Sequence, residues 1–288
     1  MTEELRREAL MAAQQLDNHG DIATLLKNAE YILKYITASP FELSKEDRQP
    51  VKVEKVSFND ALSFIEDRKI RHSTKGEIPF KLYEHQHRVL HQLCRTSQLI
   101  INNARQMGIT HLLAAYVLYE AVTLPNQTIL WLSNQFSGSL HGLDVIRSML
   151  DANIEVTMNN KSQITFSNGS TIIARALSVD SQRGLSLTRI VIDNAAYISH
   201  KKFYETWPNL MQVCGSGAKI VLASTPNLAE GLFYDIWMNG KYPWRKILIP
   251  WYEHLERDDE WIAYYQDQLD EARFKQEFEC NFVSSSEK

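Results

Sequence analysis

The segment Gln98–His111, QLIINNARQMGITH, has the build of a phosphate-binding loop that lacks its usual lysine. An apolar run (Leu99, Ile100, Ile101) leads into a short polar turn, then to Gly108 and Thr110, then to a helix-like apolar stretch. In such a loop backbone N–H groups close around phosphate, a lysine reaches the terminal phosphates and a hydroxyl serves Mg²⁺. Set against G-x-x-x-x-G-K-[ST], Asn103 takes the first glycine slot, Gly108 the second, Ile109 the lysine slot and Thr110 the hydroxyl slot. Gly108 and Thr110 fit, whereas Asn103 and Ile109 do not.

Two further apolar runs end in polar residues that could complete such a site. Arg189–Asp193 (RIVID) ends at Asp193-Asn194, and Lys219–Ala223 (KIVLA) ends at Ser224-Thr225. Each has a plain structural explanation: Asp193 can cap a following helix, and STPN can be a turn in which Pro226 keeps Thr225 extended. Together and in this order they describe a nucleoside triphosphatase core.

The elements that must position these residues alternate along the chain. Expected strands at Leu99–Asn102, Thr128–Leu132, Arg189–Asp193 and Lys219–Ala223 are interleaved with helices at Ile109–Val122 and Ser137–Leu150. Buried apolar strands alternating with helices imply a mainly parallel sheet covered on both faces, with ligands at the carboxyl ends of its strands. QITFSNGSTIIAR reads as an inserted β-hairpin in which Asn168-Gly169 forms a two-residue turn with positive φ values. Upstream, Thr2 to Ile36 has helical periodicity broken at Asn18-His19-Gly20, Ala38–Pro50 reads as a linker, and Asn59–Arg68 as a helix.

The chain has 288 residues and a formal net charge of −4, which argues against coating nucleic acid by bulk electrostatics. Any DNA contact must be local. Arg68–Lys75 and His200-Lys201-Lys202 are the candidate basic patches, each read more readily as solvated surface charge. Cys94, Cys214 and Cys280 have neither disulfide-framework nor zinc spacing and read as small core residues. The N-terminus lacks the layout of a secretory signal, and the longest apolar patch, Leu112–Val122, is too short to span a bilayer. An intracellular protein with no membrane association is expected.

PFKLYEHQ (Pro79–Gln86), ARQMGIT (Ala104–Thr110), the NGS hairpin, RGLSLTRIVIDNAAYI (Arg183–Ile198), LASTPN (Leu222–Asn227), GLFYDIW (Gly231–Trp237) and FKQEFECNF (Phe274–Phe282) together resemble the ATPase domain of the large terminase subunit of tailed bacteriophages. The resemblance covers roughly residues 79 to 283. It implies an α/β fold with a P-loop NTPase core of the RecA-like (ASCE) kind. The organisation expected is a helical N-terminal extension and linker over 1–50, an ATPase domain over 51–283 and a tail over 284–288, with no room for the family's nuclease domain.

The same resemblance implies ATP and Mg²⁺ as cofactors, double-stranded DNA, the portal protein and the small terminase subunit as partners, a homo-oligomeric ring when assembled, and the host cell cytoplasm as location. Gln86 would lie in the adenine-reading segment, or be an exposed helical glutamine. Ala104, Arg105, Gln106, Met107, Gly108, Ile109 and Thr110 would line the phosphates, with Thr110 and Asp193 holding Mg²⁺. Arg183 would place a guanidinium near the γ-phosphate or a neighbouring subunit, or form a structural ion pair. Ser224 and Thr225 would couple hydrolysis to movement, and Trp207, Trp237 and Trp244 would be core or interface residues.

Two departures from that pattern bear on activity. Ile109 cannot neutralise phosphate charge, and Arg105 is the substitute that the sequence offers. Asn194 stands where the family has a water-activating glutamate; an amide orients water but takes no proton, and a lost general base lowers rate by about 10²–10⁴-fold. Glu230 is an alternative acid. The competing readings are a catalytically inert nucleotide-binding assembly module and a superfamily 2 helicase-like ATPase, the second disfavoured because no second RecA-like half fits in the chain.

Overall fold

The computed structural model describes residues 56–72, 76–240 and 243–284, all within a compact unit spanning Lys55–Lys288. The expected N-terminal helices, the linker and the end of the tail lie outside the described residues. Helix α1 (Phe58–Glu66) leads to a small antiparallel pair, β1 (Lys69–His72) and β2 (Gly76–Pro79), and to helix α2 (Glu84–Arg95). Then come β3 (Gln98–Asn103), α3 (Ile109–Thr123), β4 (Thr128–Ser133), α4 (Phe136–Ser148), β5 (Val156–Asn160), β6 (Gln163–Phe166), β7 (Thr171–Ala176) and β8 (Arg189–Asp193). Helix α5 (His200–Gly215), β9 (Lys219–Ser224), α6 (Leu232–Met238), β10 (Arg245–Ile249), α7 (Asp259–Gln268) and α8 (Glu271–Glu277) follow.

The main sheet has eight strands in the order β10-β3-β9-β8-β4-β7-β6-β5. From β10 through β7 all neighbours are parallel, and only β6 and β5 run antiparallel. Residues Leu99–Asn103, Ile129–Ser133, Arg189–Asp193 and Ile220–Ser224 are buried throughout, as near-continuous apolar strands must be when helices cover both faces. One face packs against α1 to α4, with Leu90, Leu113, Tyr116 and Ile146 in that core. The other packs against α5 and α6, with Phe203, Leu210, Phe233 and Ile236. Trp244 is buried there and stacks on Trp207 at 5.8 Å, while Trp237 packs against the same cluster. Cys280 is buried, and Cys94 and Cys214 are half-buried free thiols.

The inserted hairpin differs from expectation in two respects. Gly169 has φ +83°, but Asn168 is not among the positive-φ residues. Phe166 accepts from Gly169 N–H at 3.1 Å and donates to Ser170 O at 2.8 Å, so the loop is one residue longer, closing with glycine alone in the left-handed region. Asn168 instead turns its amide onto the carbonyls of Ala121, Val122 and Leu124, satisfying the open end of α3. The hairpin is also no separate appendage: β7 lies parallel on β4, and β5 adds a third strand.

Helix α3 is buried from Leu112 to Ala121 on all sides, which leaves Glu120 needing a partner inside the core. Arg189, the first residue of β8, provides it through two guanidinium contacts, one Nη2–Oε1 bond of 2.7 Å and a closer one from Nε to Oε2. Its guanidinium carbon also sits 4.9 Å from the Tyr116 ring centre. Arg68 belongs to the interior too: it is 8 % exposed and pairs with Asp67 and Asp151, so it is not part of a solvated basic patch. Among the described residues no helix is long and apolar enough to cross a membrane.

Candidate functional site: a phosphate loop moored from outside

The turn between β3 and α3 presents backbone rather than side chains. Ala104, Met107 and Ile109 are buried beneath it, while Gln106 and Gly108 sit at φ +59° and +71° in the left-handed region. Gly108 is the N-cap of α3, and a Cβ there would meet Gln86 Nε2 at 2.5 Å. Gly108→Ala should therefore cost about 1–2 kcal/mol from backbone conformation alone, lowering Tm by roughly 2–8 °C in thermal denaturation.

Every carbonyl from Arg105 to Gly108 accepts a bond from a side chain outside the loop. Arg257 Nη2 donates to the oxygens of Arg105 (2.7 Å) and Gln106 (3.2 Å). His85 Nε2 lies 3.0 Å from Met107 O, and Gln86 Nε2 donates to Met107 O (3.4 Å) and Gly108 O (3.3 Å). In a planar trans peptide the carbonyl of one residue and the N–H of the next point opposite ways. Holding these carbonyls outward turns the N–H groups of Gln106, Met107, Gly108 and Ile109 inward. Among the described hydrogen bonds, the N–H groups of Gln106, Met107 and Gly108 take no backbone partner. The first-turn N–H groups of α3 stand behind them without intrahelical acceptors. Such a nest at a helix N-terminus favours an anion by geometry and by the helix dipole.

The base of the loop is fixed differently. Ala104 N–H donates to Ile249 O at 2.7 Å and Arg105 N–H to Glu277 O at 2.8 Å, mooring the turn to β10 and α8. His85 is 1 % exposed, and its second ring nitrogen lies 3.2 Å from Glu253 O. Both neighbours of that ring are acceptors, and a neutral imidazole can donate to only one of them.

Across β9, the end of β8 faces the start of α3. Thr110 Oγ1 donates to Asp193 Oδ2 at 3.0 Å, and the Asn194 N–H donates to Asp193 Oδ1 at 3.0 Å. Burial pushes the Asp193 carboxyl pKa up, opposed by those two bonds and by the charge of His141. A hydroxyl and a buried carboxylate are hard oxygen donors of the kind Mg²⁺ takes, and a cation there would offset the cost of an ionised interior acid. Among the described residues no group of ≥ 3 His, Cys, Asp or Glu could hold a metal by itself. Remaining ligands would be phosphate and water, as is usual for Mg²⁺. Asn194 is exposed and has φ +56°, a conformation that Asn accepts more readily than most residues.

The other expected residues fall as follows. Gln86 is 2 % exposed, its Oε1 accepting the Tyr83 N–H at 3.0 Å and its Nε2 engaged with the loop, so it is no exposed helical glutamine. Arg105 turns outward, with Nη1 3.5 Å from Glu277 Oε2. Arg183 lies in the connection from β7 to β8 and pairs with Asp180 at 2.8 Å, both side chains well exposed. Ser224 Oγ is buried without a partner, as is Oδ1 of its register neighbour Asn102. Thr225 Oγ1 lies 3.1 Å from Tyr197 OH, and Glu230 is exposed ahead of α6. Lys202, from the second basic patch, donates to Asn134 O at 2.8 Å. Sequence reasoning missed His85 and Arg257, which act on the loop from 22 residues before and roughly 150 after; no local spacing announces either.

Residues 100–288 match a family model described as the terminase large subunit, T4likevirus-type, N-terminal. The chain belongs to this terminase family. Among solved structures, the large terminase of bacteriophage HK97 aligns with TM-score 0.63 at 15 % identity, over 78 % of this chain and 55 % of that one. The large terminase ATPase domain of Thermus phage P74-26 aligns with TM-score 0.54 at 15 % identity, over 71 % of this chain and 95 % of that one. A large terminase of a thermophilic bacteriophage in complex with ADP gives TM-score 0.58 at 15 % identity, over 70 % of this chain and 54 % of that one. The chain thus spans nearly all of an isolated terminase ATPase domain and about half of the longer terminases. The eight-stranded, mainly parallel sheet with helices on both faces is consistent with a P-loop NTPase fold.

Proposed function

We propose that this terminase domain binds ATP with Mg²⁺ at the nest preceding Thr110 and hydrolyses it slowly to drive double-stranded DNA into a procapsid. The observation that carries the reading is the 3.0 Å bond between Thr110 and Asp193 beside a loop whose inward N–H groups take no backbone partner. Thr110 and Asp193 would hold Mg²⁺, which when bound neutralises phosphate charge; the N–H groups from Gln106 onward would orient the phosphates. Arg183, held only by an exposed ion pair of little energetic weight, is free to reach a triphosphate on its own or an adjacent subunit. Ser224 and Thr225, at the sheet edge beside Asn102, suit a hydroxyl sensor of the γ-phosphate. Gln86 would serve nucleotide binding by shaping the loop, and Arg105 by its exposed guanidinium.

In the assembled motor the domain would work as a ring on the portal with the small terminase subunit, in the host cytoplasm. A catalytically inert assembly module is the second reading, favoured by the amide at Asn194. Mg²⁺–ATP turnover, with and without DNA and portal, separates the two. Asp193→Ala should abolish Mg²⁺-dependent turnover, and a variant as active as the parent would overturn the proposal.

A further inference from the structure

Ile109 leaves the lysine slot of the phosphate loop without a cation, and the loop's own Arg105 turns toward Glu277 on α8. Another cation already touches the loop's backbone. Arg257, just before α7, donates to the carbonyls of Arg105 and Gln106 at 2.7 and 3.2 Å. Its guanidinium carbon lies 4.4 Å from the centre of the Trp261 ring, and its Nη1 is buried without a partner. A residue that merely stapled α7 to the loop would need no charge, and would not gain by burying an unmet N–H, which costs free energy. We propose that Arg257 supplies, from outside the loop, the positive charge that Ile109 does not, holding the Arg105 and Gln106 carbonyls away so that the N–H groups beyond them face the nucleotide's phosphates.

The proposal rests on the nucleotide reading above. Arg257 is a positioning residue: half-buried, it acts on phosphate by polarising the peptide units it grips. Burial lowers its pKa to about 10, which leaves it charged at neutral pH. The titratable groups that act on it or feel it include Tyr265 and His254, whose own pKa is lowered by burial and then by Arg257.

The test compares ADP affinity by isothermal titration calorimetry in the unmodified chain, Arg257→Lys and Arg257→Gln, with thermal denaturation to establish that each is folded. Glutamine keeps a donor without charge; lysine keeps charge without the planar fork. The glutamine variant should bind ADP on the order of tenfold to a hundredfold more weakly, the scale of one charged hydrogen bond. The lysine variant should stay within a few-fold of the parent near pH 7. Its affinity should then fall toward that of the glutamine variant by about pH 9, because a desolvated ammonium gives up its proton more readily than guanidinium. The parent should stay level over that range. Equal affinities in all three, or a lysine variant as weak as glutamine near pH 7, would overturn the assignment alone. A parent that binds no ADP would overturn the nucleotide reading and this assignment with it.

Discussion

Asn194→Glu raises the single-turnover rate of Mg²⁺–ATP hydrolysis by about 10²–10⁴-fold, the usual worth of a positioned general base. The residue already sits one position past Asp193, exposed at the open edge of the sheet, with its N–H bonded to the Asp193 carboxylate. A carboxylate there can take the proton that the amide cannot. The cost is conformational: φ +56° suits Asn better than Glu, so about 1–2 kcal/mol of stability is lost. Asn194→Gln carries the same strain without a base and should show no rate gain, which separates chemistry from backbone effects. Equal rates for parent and Asn194→Glu would place the base elsewhere, with Glu230 the next residue to replace.

The second large effect is on stability. Glu120→Gln leaves the Arg189 cation in the core with neither compensating charge nor water. Breaking one side of a buried pair costs about 3–5 kcal/mol, here a fall in Tm of roughly 6–20 °C. Both side chains are nearly inaccessible, at 3 % and 6 % exposure, so water cannot make good the loss. Replacing both partners by apolar residues, as in Glu120→Leu with Arg189→Met, should recover most of it. Thermal denaturation of the single and double variants checks the pair, and a double variant no better than the single would sink the account. The effect also bears on the site. Thr110 and Glu120 lie in opposite halves of α3, and Arg189 and Asp193 at opposite ends of β8, so the two elements are joined at both extremes.

What the sequence made legible was whatever is encoded by short-range pattern. β3, α3, β4, β8 and β9 are apolar runs bounded by polar or turn residues, and their expected limits differ from the observed ones by a residue or so. The facing of Thr110 and Asp193 followed from placing both at the carboxyl edge of a parallel sheet. β1, β2 and β5 were not legible, because they are short and largely exposed and owe their extended form to pairing rather than to composition. Asn168 misled because Asn-Gly is a strong turn signature, while a three-carbonyl anchor on α3 is a tertiary matter. Arg257 and His85 escaped for the same reason: their work is done on residues far away along the chain.

The mooring of the loop sets a limit on dissection. Its base hangs from Ile249 and Glu277, its rim from His85, Gln86 and Arg257, and Val283 exchanges backbone bonds with Asn227 and Ala229 just beyond Ser224-Thr225. A strand, a turn and a helix carry the motif, yet the shape that would grip phosphate is owned by stretches on either side of it. Grafting residues 98–123 onto another sheet would transplant the letters of the motif and leave its anchors behind.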